Sequence, residues 1–237
     1  MLPRSNSSRL DALLARMEEL YAASAHLASW DPVFTATYRW EHTLRVMQYG
    51  AEIAAGERLD HELCVAGCLL HDIAYFVCEA IPDWREHGRL GAEYCRPLLA
   101  ETGFSDNDAD RICYAVACHA DGEAGFPHAH DPLSDAVADA DNVDRFSAIR
   151  LFMWCKQHDG ELHAMAEQMR QRLAKLREYR ENNPLLTPTG RRLFDDKLAL
   201  QIAFLEAFVR DADRTSPSVS SGREGTLAEC FDHGTTP

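Results

Sequence analysis

The sequence has no apolar run near the roughly 18 to 20 residues that a membrane-spanning helix needs, and this argues against a bilayer span. Alternating runs of β-branched residues are missing too, so strands have no pattern from which to form. Positive charge is scarce: 24 basic residues stand against 38 acidic ones in 237, a formal charge of −14. Repulsion on that scale argues against nucleic acid or an anionic membrane as the main partner, though metals and a few arginines can still bind phosphate locally. The N-terminus has no basic-then-apolar signal segment, and most of the eight cysteines lie inside apolar helical patterns. They are expected to be buried thiols in a reducing cytoplasm.

What the chain does have is apolar residues at three- and four-residue spacing almost throughout, which predicts an all-α fold. With 46% hydrophobic residues it can bury a real core, and one domain over residues 1–213 followed by a flexible Ser/Thr/Gly-rich tail, 214–237, is expected. The spacing predicts helices over Ser8–Leu27, Tyr38–Ala54, a segment from His61 to Phe76 capped by Asp60, Glu86–Gly103, a segment from Ser105 to His119, Leu133–Gln157, and two last helices over 161–181 and 189–212. Trp30-Asp31-Pro32 should break the first, Pro97 should kink the fourth, and Ser105 with Asp108 reads as a capping box for the fifth. Stripes at Leu173, Leu176, Leu193, Leu198, Ile202 and Leu205 should pack on the domain or seat a homodimer partner.

Within this pattern, ligand-type residues sit where a core prefers apolar ones: His42, the pair His71-Asp72, His87, His119 and Asp141. A lone histidine near a helix end is ordinarily solvated or hydrogen-bonded. His71-Asp72 is different, because Leu69, Leu70, Ile73 and Phe76 bracket it and burying an unpaired carboxylate is costly. Four imidazoles and two carboxylates suffice for two divalent ions, and mixed N/O donors suit Fe, Mn, Co, Ni or Zn.

The order of "HTLRV", "CLLHDIA" and "VADADNVDRF" resembles the HD domain superfamily of metal-dependent phosphohydrolases. "HGRLGAE" at His87 and "ICYAVACHAD" at His119 are similar to the segments that hold a second ion in binuclear members. The resemblance, over about Tyr38 to Phe152, implies an HD-type helical bundle with additional C-terminal helices. It implies that His42, His71, Asp72 and Asp141 bind one ion, and that Asp72 bridges to another held by His87 and His119. A hydroxide between the two ions would attack a small phosphorylated metabolite or nucleotide. Asp72 and Arg45 are then the expected catalytic residues. Arg45, three residues after His42, is the expected phosphate clamp, with Arg145 as a weaker candidate and Tyr75 as a hydrogen-bonding group for substrate.

The chain also departs from that pattern. Ala74-Tyr75 replaces the Gly-Lys of H-D-x-G-K, Asn142 replaces the arginine after the DAD triplet, and the G-Y-P signature of cyclic-dinucleotide phosphodiesterases is absent. Relatives of myo-inositol oxygenase and organophosphonate oxygenases hold two irons in the same six-residue set, so a di-iron oxygenase that cleaves a carbon bond with dioxygen is the alternative. A non-catalytic sensor with no open coordination position is the third. "DNDAD" from Asp106 reads as a charged helix start, His128-Ala129-His130 as a polar loop or lid, and Cys64 with Cys68 as core residues.

Overall fold

The computed structural model describes residues 8–24, 34–157 and 161–214; Trp30-Asp31-Pro32 and the tail from 215 lie outside them. Ten helices occur among the described residues: α1 (Ser8–Ser24), α2 (Ala36–Glu57), α3 (His61–Leu70), α4 (Ala74–Val77), α5 (Glu86–Glu101), α6 (Asp106–Cys118), α7 (Pro132–Arg145), α8 (Ala148–Gln157), α9 (Leu162–Glu181) and α10 (Pro188–Arg214). None is long and apolar enough to cross a membrane. Thr35, Asp60, Ser105 and Asp131 cap α2, α3, α6 and α7 by accepting a backbone N–H in the first turn.

Two expected helices are each divided. The segment 61–76 stops at Leu70, because Ile73, Tyr75 and Phe76 donate to carbonyls three residues back rather than four. That tightened turn swings His71 and Asp72 off the apolar face of α3. The segment 133–157 breaks at Phe146-Ser147. There Ser147 Oγ accepts the N–H of Arg150 and starts α8, while the freed carbonyl of Phe146 accepts from Gln201 Nε2 at 2.6 Å. Helix α5 runs through Pro97.

The core forms where α2, α3, α6 and α7 meet, with Leu69, Leu70, Ile73, Val116, Val137 and Val143 inaccessible to solvent. Helices α2 and α3 approach closely at Gly50, where a Cβ would stand 2.3 Å from Cys68 Sγ. All six residues of the C-terminal stripes are buried within the chain, between α9 and α10 and against α7. Asp139, on α7, fastens that hairpin: its carboxylate accepts the backbone N–H groups of Leu186 and Thr187 and the hydroxyl of Thr187 at 2.7–3.1 Å. Cys64, Cys68, Cys95, Cys113 and Cys118 are buried free thiols.

Candidate metal centre

Four helices and one turn deliver the six donors to one place. His42 comes from α2, His71 and Asp72 from the turn after α3, His87 from the first turn of α5, His119 from the end of α6 and Asp141 from α7. All six are at most 8% exposed. His42 Nε2 lies 3.2 Å from Asp141 Oδ1, 3.2 Å from His71 Nε2 and 3.8 Å from Asp72 Oδ2. On the other side, Asp72 Oδ1 lies 3.3 Å from His87 Nε2 and 4.0 Å from His119 Nε2, and those two nitrogens are 2.9 Å apart. The two carboxylate oxygens of Asp72 therefore face two different donor groups.

The opposite ring nitrogens fix what the inward ones can offer. Nδ1 of His71 donates to the Cys68 carbonyl and Nδ1 of His119 to the Val116 carbonyl, both at 2.7 Å. Nδ1 of His87 donates to the Trp84 carbonyl, and Nδ1 of His42 to Asp144 Oδ2 at 2.7 Å. A carbonyl can only accept, so each neutral ring turns an Nε2 lone pair inward. Buried lone pairs 2.9 and 3.2 Å apart repel unless a cation sits between them.

The proton affinities reflect the same demand for positive charge. Burial by itself would lower His42, yet its hydrogen bonds to Asp141 and Asp144 raise it to about 9. Burial would lower His87 as well, yet the hydrogen bond and charge of Asp72, with the Trp84 carbonyl and Asp141, together raise it. His119 is pushed down to about 3 by burial and by neighbouring His87 and His71. Burial would raise Asp72 and Asp141, but His71 and Arg39 hold the first low, and the His42 hydrogen bond and Arg145 hold the second. The raised His42 on one side and the raised His87 on the other mark where positive charge is favoured, and the gathered nitrogen and oxygen donors are of the kind that bind divalent cations.

Arg45 does not occupy the expected clamp position. Its Nε and Nη2 donate to Asp144 at 2.7 and 3.1 Å, making it the support of a His42–Asp144–Arg45 chain. The cations on the cavity beside the donors are Arg39, Arg145 and Arg150, and Tyr38, Tyr75 and Trp84 share the wall. Arg145 and Tyr75 both line the cavity, and the guanidinium of Arg39 lies 3.7 Å over the Tyr75 ring. Sequence reasoning passed over Asp144, Arg39 and Tyr38, although helical spacing carries the signal: Asp144 is one turn past Asp141, and Tyr38 and Arg39 are one turn before His42. The loop of His128 and His130 joins no donor group: His128 stacks on Tyr114 and His130 pairs with Asp135.

The HD domain family matches residues 39–149, a stretch that contains all six donors. Residues 39–149 form an HD domain. No curated protein matches it in sequence. Among solved structures, a predicted HD superfamily hydrolase from an uncultured Thermotogales bacterium aligns with a TM-score of 0.59 at 22% identity, over 86% of this chain and 92% of that one. Bacillus subtilis YpgQ in complex with ADP aligns with a TM-score of 0.51 at 17% identity, over 85% of this chain and 98% of that one. At these identities the likeness is one of fold. Both alignments extend beyond the HD domain itself, so α9 or α10 is at least partly included.

Proposed function

We propose that this HD-domain protein is a metal-dependent phosphohydrolase acting on a small phosphorylated metabolite or nucleotide. In this reading His42, His71, Asp72 and Asp141 hold one divalent ion, and Asp72, His87 and His119 hold a second. The observation that carries it is the joining of this donor set to a cavity of about 200 Å³ walled by Arg39, Arg145 and Arg150. In a chain of charge −14, three guanidinium groups beside a metal centre suit an anionic substrate. An ADP complex on the same fold supports a phosphorylated ligand.

Divalent ions bound there would lower the pKa of water and neutralise charge on phosphoryl oxygens. The chain's own residues do the positioning. Asp144 holds His42 with Nε2 inward, and backbone carbonyls do the same for His71, His87 and His119. Asp72 spans both donor groups, and Arg145 extends from α7 to the cavity next to Asp141, 3.9 Å from its carboxylate.

The test is metal quantification on protein purified without added ions, followed by a panel of phosphate esters and phosphonates in air and under argon. Phosphate release with manganese or cobalt, equal in both atmospheres, is the expected result. Iron-dependent oxygen uptake without phosphate release would overturn it in favour of the di-iron oxygenase.

A further inference from the structure

Of the three arginines on the cavity wall, Arg39 and Arg145 each reach a carboxylate of the donor set, and Arg150 reaches none among the described residues. Arg39 donates through Nη1 to Asp72 Oδ2 at 2.8 Å, but that carboxylate is the one shared by both donor groups. Its Nε is buried with no hydrogen-bond partner, although the guanidinium carbon lies 3.7 Å over the Tyr75 ring. Arg150 forms no ion pair with a carboxylate among the described residues. It donates to the Tyr38 hydroxyl at 2.7 Å and lies 4.0 Å over the Phe34 ring. The three lysines, Lys156, Lys175 and Lys197, contribute nothing to the cavity wall.

A stacked guanidinium keeps its in-plane N–H groups available, and a planar fork matches two oxygens of a tetrahedral anion. Leaving a donor such as Arg39 Nε buried without an acceptor is unfavourable, so its natural complement is a ligand. We propose that Arg39 and Arg150, seated on the aromatic shelf of Phe34, Tyr38 and Tyr75, form an oxyanion receptor that grips phosphate oxygens of the substrate. The receptor is built from α2 and α8 rather than from the donor residues. It rests on the phosphohydrolase reading for the identity of its ligand.

The experiment is calorimetric titration of inorganic phosphate into manganese-loaded protein, for the wild type, Arg39→Gln, Arg150→Gln and Arg39→Lys, with manganese content measured on each. Each Gln variant is expected to bind phosphate about tenfold more weakly while keeping its manganese, and Arg39→Lys to fall between, since it keeps charge but loses the fork. Phosphate affinity unchanged in both Gln variants would overturn the receptor, as would a wild type that does not bind phosphate. Loss of manganese in Arg39→Gln, with phosphate affinity unchanged in Arg150→Gln, would also overturn it, because Arg39 would then act through Asp72. Should Arg39→Gln not fold, Arg150→Gln and Arg39→Lys decide by the same measure. A wild type that binds phosphate through these arginines yet hydrolyses no ester would leave the receptor standing and remove the phosphohydrolase reading.

Discussion

Asp144 Oδ2 lies 2.7 Å from Nδ1 of His42, and the Asp144 side chain is completely shielded from water. The carboxylate gives one face to the imidazole and the rest to Arg45, so His42 is oriented by a residue that does not line the cavity. Asparagine at this position offers one acceptor where the carboxylate offers two, which leaves His42 or Arg45 facing an N–H. Asp144→Asn is expected to weaken metal binding at the His42 group about 10- to 100-fold, read by competition with a chelator. Unaltered affinity would show that His42 is oriented by other contacts.

The two-sided placement of Asp72 predicts unequal losses. Asp72→Ala should empty both donor groups, whereas His87→Ala or His119→Ala should remove one equivalent and spare the other. Metal analysis after gel filtration counts the equivalents. A full complement in Asp72→Ala contradicts the bridging geometry.

His42 provides a pH dependence whose sign can be worked out. Its affinity for a proton rises from the ordinary 6.5 to about 9 in the metal-free fold, despite burial, because Asp141 and Asp144 hold the charged ring. A raised value stabilises the metal-free protein fully below 6.5, and that contribution is lost as pH climbs through about 9. The melting temperature of the metal-free protein should therefore fall across this interval, and His42→Gln should flatten the decline. Metal binding near neutrality must also expel that proton, which calorimetry in buffers of different ionisation enthalpy detects. His119, already neutral with its value near 3, adds nothing to the release.

Gly88 sets how closely α5 lies to the end of α6. A Cβ there would stand 2.7 Å from the Ala117 carbonyl and 2.8 Å from that of Val116, both backbone atoms that cannot rotate away. Gly88→Ala should cost about 1–3 kcal/mol in denaturant unfolding and should separate His87 from His119. Wild-type stability in that variant would mean the helices part without penalty.

The six residues that converge here stood out in the sequence as candidates because each is a polar residue set in an apolar context, and helical periodicity located the elements that carry them. The arginines could not be told apart in this way. Arg39 and Arg45 each stand three residues from His42 on the same helix, and spacing treats them alike. What separates them is Asp144 on α7, which captures Arg45 and leaves Arg39 to the cavity, a long-range fact invisible to local pattern. Arg150 was missed for a related reason, since a continuous helix over 133–157 gives no cause to aim it at α2. The break at Ser147 and the turn at His71–Ile73 both depend on three-residue hydrogen bonding that apolar spacing does not record.

Helix α7 carries Asp141 toward the donor site and, two residues earlier, Asp139 toward the start of α10. A shortened protein ending before Leu185 would strand the Asp139 carboxylate in the interior, since every hydrogen-bond donor it uses comes from Leu186 and Thr187. The C-terminal hairpin is therefore not a detachable accessory, and anyone trimming the chain to its HD domain would first have to replace Asp139 with an apolar residue.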